Sequence, residues 1–538
     1  MSLGQAFLLF IFSSISGIGS STEEFQTHRP IIASTLAGIA LGNVKAGVMA
    51  GAAMELVALG WMTIGVSVPP DPALAGVVVA ILVILGNQSI GVAVGMVIPL
   101  AVAGQLMQIA QKSTIDIAIM HWAERGVEKG KLSRVTIAHY LTAIPSALRV
   151  AVPSLFVAYF ADATLVQSAF NAIPKSITMG LQIASGFLVV VGYAMIMTLL
   201  NVKELLPFFF IGFLVMTFTS TTLFGLTVLA VSLAIIYFNF YKMFGENAGR
   251  ERRTRSKGNT KDTEEKVSEV KITKRDIIKV FWRTQTYQLS WNYERLHNLC
   301  YCYCIMPILK KLYKDEKELQ AAVKTHLEYY NTHQFLTSVI LGANIAMEEA
   351  AANNEDIDKT SITQLKIALM GPLAGIGDSV IWGIARPMAA AVGAGIAIDG
   401  NIFGPIFFFV TINAIRLFFR YNMLFFSYRE GTNIISRMKD VLPKMKNVMT
   451  VLAYTVMGGL VAKWTKINVP VVLYSYEKHG EIISVTVQQQ LDAIMPNLLP
   501  LMLTFLIYTL IKKKVSPLVC IIGLMILGIL GYTFGFLG

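Results

Sequence analysis

Four polar clusters interrupt the apolar stretches of this 538-residue chain. The first is Glu23-Glu24-Phe25-Gln26-Thr27-His28-Arg29-Pro30. It gathers carboxylates, an amide, an imidazole and a guanidinium, a mixture that suits a ligand whose hydroxyls both donate and accept, such as a sugar. An ordinary charged loop between helices is the plainer reading. The second is Glu55, a lone carboxylate within Gly51-Ala-Ala-Met-Glu55-Leu-Val-Ala-Leu-Gly60. A carboxylate among apolar neighbours must be paired, protonated or turned to a wet cavity. The third is Pro69-Pro70-Asp71-Pro72, followed by Gly86-Asn87-Gln88-Ser89. Prolines break helices, and irregular backbone at membrane depth persists only inside protein or beside a cavity. The fourth pairs Ser290-Trp291-Asn292-Tyr293-Glu294-Arg295 with the glycine-rich run from Gly371 to Asp378. A ring beside Asn and Glu suits a pyranose, although Trp and Tyr more commonly form an interfacial belt. The glycine-rich run lacks a following Lys-Ser/Thr, so it is no phosphate loop.

The surroundings of these clusters are those of a membrane protein. Hydrophobic residues make up 54% of the chain and charged residues 14%, against about 25% charged in a soluble chain. Apolar runs that could cross or re-enter a bilayer fall at about 4–20, 32–60, 74–104, 143–160, 179–201, 206–237, 365–398, 402–417, 449–465, 494–511 and 516–537. The first run lacks a basic leader and meets Glu23 and Glu24, which reads as a retained segment. Net charge is 45 − 33 = +12. Cationic loops on the cytoplasmic side explain this better than nucleic acid, which is not expected as a partner. Cys300, Cys302 and Cys304 have single-residue spacing, which fits no common zinc pattern; with Cys520 they read as reduced, partly buried thiols. No His-Glu-x-x-His, Gly-x-Ser-x-Gly or Walker motif occurs, so hydrolytic and ATPase machinery is not expected.

Composition shifts once, at a charged linker over 242–274. The expected fold is an all-α integral membrane protein of two helical membrane modules with re-entrant or broken helices. The modules are 1–241 and 275–538, and 275–334 reads as cytoplasmic or interfacial helices. The positive-inside rule puts the linker and Lys512-Lys513-Lys514 in the cytoplasm, and residues 466–493 and the C-terminus outside. The first module carries an internal repeat. Leu41-Gly42-Asn43, Gly47-Val48 and Gly51 recur 44 residues later as Leu85-Gly86-Asn87, Gly91-Val92 and Gly95. Repeats of this kind frame substrate sites in transporters; two closely packed glycine-rich helices are the alternative.

The first module resembles the IIC component of the mannose family of the bacterial phosphotransferase system. The resemblance rests on Glu24-Phe-Gln-x-His-Arg-Pro30, Met54-Glu-Leu-Val-Ala-Leu-Gly-Trp-Met62, Asp71-x-Ala-Leu-Ala75, Ile98-Pro-Leu-Ala-x-Ala-Gly-Gln105, Asn171-Ala-Ile-Pro174 and Val191-Gly-Tyr-Ala-Met195. The second resembles IID, through Gln288-Leu-Ser-Trp-Asn-Tyr-Glu-Arg295, His326-Leu-Glu-x-x-Asn-Thr332, Leu369-Met-Gly-Pro-Leu-Ala-Gly-x-Gly-Asp378, Trp382-Gly-x-x-Arg-Pro387 and Leu499-Pro-Leu-Met-Leu-Thr-Phe505. It covers nearly the whole chain apart from the linker. The two components are usually separate chains. Ser379 stands where Pro is frequent, and Asn87 where His is common.

The resemblance implies a multi-pass protein of the bacterial cytoplasmic membrane that binds an outside hexose (mannose-, glucose- or glucosamine-like) and exposes it inside. A separate IIB protein, charged by IIA, then phosphorylates it. No cofactor, metal or catalytic residue is expected on this chain. His28 is expected to hydrogen-bond, not to carry phosphate. Expected sugar contacts are Glu24, Gln26, His28, Glu55, Asp71, Asn87 and Gln88 from the first module, and Trp291, Asn292 and Glu294 from the second. The family also implies a trimeric homo-oligomer and a possible role as bacteriocin receptor. The competing reading is an ion-coupled secondary transporter with Glu55 as coupling site.

Overall fold

The computed structural model describes residues 1–63, 68–161, 174–200, 202–221, 223–245, 270–353, 359–431, 434–478 and 481–538. Most of the charged linker, and residues 171–173 of one family motif, lie outside them.

Helices broken near their polar motifs dominate the first module. It runs α1 (Leu3–Thr22), α2 (Pro30–Leu41), α3 (Val44–Val57), α4 (Pro72–Ile84), α5 (Ile90–Ser113), α6 (Ile115–Glu128), α7 (Ser133–Leu141), α8 (Ala143–Ala161), α9 (Lys175–Leu200), α10 (Pro207–Phe218) and α11 (Leu223–Gly245). The apolar run 32–60 is thus two helices, of 12 and 14 residues. At 1.5 Å per residue, neither covers the roughly 30 Å of hydrocarbon. Gly42 ends α2 at φ 84°, and Asn43 caps α3 by accepting from Ala46 N–H at 3.1 Å. The hairpin then closes tightly: a Cβ on Gly38 would lie 2.9 Å from Gly47 Cα. The second copy of the sequence repeat also falls between two helices, α4 and α5, but it turns differently. Asn87 takes φ 49° and Ser89 occupies the N-cap position of α5.

The second module contains α12 (Lys274–Arg283), a 3-10 turn over Thr284–Ser290, α13 (Asn298–Leu312), α14 (Glu316–His326), α15 (Thr337–Ala352), α16 (Lys359–Gly377), α17 (Arg386–Ala397), α18 (Phe403–Glu430) and α19 (Ile434–Trp464). It closes with α20 (Val487–Ile494), α21 (Leu498–Lys512) and α22 (Pro517–Thr533). Between α16 and α17, residues Asp378–Ala385 wind as a π-helix. Among the described residues, six helical stretches are long and apolar enough to cross a membrane. The α20–α21 pair, bent by 83°, has the form of a broken or re-entrant span.

One element departs from the expected all-helical architecture. β1 (Val472–Lys478) and β2 (Glu481–Thr486) form an antiparallel hairpin with an irregularity between Val472 and Tyr474. Its β-branched and aromatic residues favour strand pairing. The cysteines need a correction as well. Cys300, Cys302 and Cys304 on α13 and Cys520 on α22 are free thiols, and all are buried rather than partly so.

The two compositional modules are packed into one another. α9 lies against α21 and α22, α10 and α11 lie against α19, and α3 packs on α17. Glycines permit the closest crossing. A Cβ on Gly212 of α10 would overlap the carbonyl of Thr455, and one on Gly458 of α19 would overlap that of Phe209. Small residues at such crossings let helix backbones approach where lipid offers no hydrophobic drive for association.

Candidate functional site

The polar clusters of the sequence become mostly buried ion pairs. α1 ends at Glu23, whose φ is 48°, and the chain reaches α2 through Gln26 at φ 60°. Arg29 then turns inward: its Nε donates to Glu55 Oε1 at 2.9 Å, and its other nitrogens donate to the carbonyls of Trp61 and Ala58 at 3.0 and 2.9 Å. Glu55 also accepts from Ile31 N–H at 3.2 Å. Asp71 caps α4 through Ala73 and Leu74 N–H, and its second oxygen pairs with Arg149. Glu24 crosses between modules to Arg416 and Arg420 of α18. Glu24, Glu55 and Asp71 are thus charge-balanced, as burial in a low-dielectric interior demands.

A narrow polar pocket lies between the modules. The first module supplies Ser20, Ser21, Glu23, Thr63, Gln108 and Lys112 to its wall. The second supplies Gln288, Trp291, His297, Asp378, Trp382 and the strip Asn331–Gln334. Glu23 is held in place by Thr63 at 2.5 Å and by Gln334 at 3.4 Å. Lys112 is committed: its Nζ lies 3.2 Å from Asp116 and donates to Leu289 O at 3.3 Å. His333 stands edge-on to Trp382, with centroids 4.8 Å apart. Gly377, at the head of the π-helical segment, leaves room for that imidazole, since a Cβ there would lie 2.2 Å from His333 Cβ. Gln288 Oε1 and His333 Nε2 are buried with no hydrogen-bond partner among the described residues. Buried polar atoms are ordinarily satisfied, so these two are available to a ligand. Two indoles, carboxylates, amides and imidazoles around one pocket are groups of the kind that bind a polyol.

Of the ten expected contacts, only Trp291 lines this cavity. Glu24, Glu55 and Asp71 hold the ion pairs just described. Gln26 donates to Glu23 O at 2.5 Å, next to the cavity wall. His28 is buried, and its Nδ1 has no partner among the described residues. Asn87 is exposed in the α4–α5 break, where Gln88 donates to Gly86 O at 3.1 Å. Asn292 is buried and shapes a turn, its Oδ1 accepting from the N–H groups of Glu294 and Arg295 at 3.1 and 2.9 Å. Glu294 meets His121 at 2.8 Å.

The remaining cavity residues were not singled out as contacts. Gln288, Asn331, Thr332, Asp378 and Trp382 lie within family-like motifs. Lys112 carried its own signal, a cation in a long apolar helix. Gln108 and His333 carried no signal along the chain.

An apolar, helix-broken chain around a polar cavity is the arrangement of a membrane permease. Residues 3–236 match the family described as the PTS system sorbose-specific IIC component. Residues 271–537 match the PTS system mannose/fructose/sorbose family IID component. The mannose-specific EIID component of Escherichia coli (strain K12) is 42% identical over 280 residues, 52% of this chain and 99% of that one. The sorbose-specific EIIC component of Klebsiella pneumoniae is 45% identical over 233 residues, 43% of this chain and 87% of that one. A chain from a cryo-EM structure of the mannose transporter ManYZ with microcin E492 is 42% identical, covering 50% of this chain and all of that chain, with a TM-score of 0.30. The protein belongs to the mannose/fructose/sorbose family of the phosphotransferase system, as a multi-pass membrane permease with IIC and IID components fused in one chain.

Proposed function

We propose that this permease binds a hexose in the cavity between its modules and delivers it to the cytoplasmic side. A separate IIB protein, charged by IIA, then phosphorylates the sugar. The observation that carries this reading is the cavity wall. Trp291 and Trp382 offer indole surface to a pyranose, Arg386 lying over one face of Trp382, while Glu23, Gln288, His333 and Asp378 offer polar groups to its hydroxyls. Open partners at Gln288 and His333 support a polar, uncharged ligand.

The expected contacts outside the cavity take supporting roles in this proposal. Glu24, Glu55 and Asp71 hold the walls through ion pairs, and Gln26 backs the Glu23 corner. The α4–α5 break with Asn87 and Gln88 is left as a second place for the sugar on its path. The linker and the 512–514 lysines face the cytoplasm by the positive-inside rule, where the IIB partner docks. The ion-coupled reading gains nothing from Glu55, which Arg29 already occupies.

The test is hexose uptake into membrane vesicles, with and without phosphoenolpyruvate and the partner phosphotransfer proteins. Uptake should require both. Trp382→Leu and Asp378→Asn should each weaken mannose binding in detergent about tenfold or more, a loss of roughly 1.4 kcal/mol. Uptake that persists without phosphoenolpyruvate and collapses with an uncoupler would reject the proposal.

A further inference from the structure

Trp291 and His297 both line the cavity, and the chain between them makes one compact turn. Asn292 Oδ1 accepts from two N–H groups of that turn. Leu296 takes φ 55°, and His297 N–H donates to Tyr330 O at 2.7 Å. The two cavity residues are therefore the two ends of a single rigid unit.

The tip of that unit reaches the other module. Glu294 Oε2 lies 2.8 Å from His121 Nε2, and Arg295 Nη1 donates to Glu124 Oε1 at 2.5 Å. His121 Nδ1 lies 3.2 Å from Glu124 Oε2, and Arg295 Nε lies 3.6 Å from Glu294 Oε1. These four side chains close a ring, with two members on α6 and two on the turn. Tyr293 N–H also donates to Lys112 O at 3.3 Å, at the end of α5. Arg125 Nε donates to the backbone carbonyl of His121 at 3.3 Å.

The geometry points to a clamp across the module boundary: we propose that the His121–Glu124–Arg295–Glu294 ring sets where Trp291 and His297 stand against the sugar. Glu294 is thus a positioning residue that acts through Trp291. This rests on the cavity being the hexose site. The ring suits adjustment more than permanent anchoring. The His121, Glu294 and Arg295 side chains are 40%, 37% and 39% exposed, and exposed pairs contribute only about 0–1 kcal/mol. The Glu24–Arg420 pair, by contrast, is shut away from solvent.

The experiment is mannose binding to the purified full chain in detergent, by calorimetry. Glu294→Gln and His121→Gln should each weaken binding about two- to fivefold, the range of an exposed ion pair, with little change in melting temperature. The double variant should be no weaker than either single one, because both act through one ring. Glu294→Asp, which keeps the carboxylate, should lose less than Glu294→Gln. Unchanged binding in both single variants, additive losses, or equal losses in Glu294→Asp and Glu294→Gln would each overturn the clamp. Trp291→Leu separates the two ideas. If it leaves binding unchanged, the hexose reading of the cavity fails. If it weakens binding while the ring variants do not, only the clamp fails.

Discussion

Glu24 and Arg420 meet across the module boundary in a two-pronged ion pair. Arg420 Nη2 lies 2.9 Å from Glu24 Oε1, and Nη1 lies 2.8 Å from Oε2. Arg420 Nη1 also donates to Thr284 O at 2.5 Å and Nη2 to Gln334 O at 2.8 Å. One guanidinium thus ties the α1–α2 loop to the turn after α12 and to the cavity strip.

Removing it should therefore cost more than a surface ion pair. Arg420→Ala strands Glu24 beside Arg416 alone, and breaking a buried pair typically costs about 3–5 kcal/mol. The variant should melt well below the unaltered protein in detergent. Arg420→Lys keeps the charge but not the fork, and should recover only part of the loss. Equal melting temperatures for all three proteins would show that the pair does not hold the modules.

Asp71 combines two roles that a substitution can separate. It caps α4 and pairs with Arg149, whose Nη2 also reaches Ser20 Oγ beside the cavity. Loss of an N-cap alone costs about 1 kcal/mol. Asp71→Ser preserves a cap but leaves Arg149 without its carboxylate. Its loss should exceed the cap value by 2 kcal/mol or more, by the measure of a broken buried pair. Thermal unfolding of Asp71→Ser beside Asp71→Ala resolves the two parts.

Gly377 should be intolerant of a side chain for a local reason. A Cβ there meets His333 Cβ and Cγ at 2.2 Å, so Gly377→Ala must push the imidazole off the cavity wall. On the proposed hexose reading of the cavity, mannose affinity should fall at least about tenfold. Gly371→Ala, on the same helix where nothing lies within 4 Å, should leave affinity unchanged. Binding calorimetry on the pair checks this.

Acid should weaken the edge of the second module at Asp276. Burial pushes this carboxyl up, but hydrogen bonds from Lys311 and from the Thr273 side chain and N–H outweigh it and hold it well below the usual range. A depressed carboxylate contributes stability above its unfolded value of about 3.9. That contribution is lost as pH falls from there toward the folded value. Asp276→Asn should lower the melting temperature at neutral pH, and the gap to the unaltered chain should close as pH drops below about 4. A gap independent of pH would remove the carboxylate from the explanation.

The chain by itself determined a good deal. Low charge and long apolar runs dictated a membrane protein, because such a sequence has too little polar surface to face water. Gly42 and Asn43 marked a helix break that the structure keeps, since positive φ and capping are local demands. The motifs identified the family, and Trp291 was legible as a ring among polar neighbours. Tertiary structure decided the rest. Glu24, Glu55 and Asp71 were expected to meet the sugar, but their partners are Arg420, Arg29 and Arg149, brought to them from 396, 26 and 78 residues away. His333 and Gln108 gave no sign along the chain that they share a wall. The two modules looked separate because composition reports the average environment of a segment, whereas pairing and enclosure depend on which segments meet. The opposed charges of α1–α2 and α18 meet only when α2 and α18 pack together.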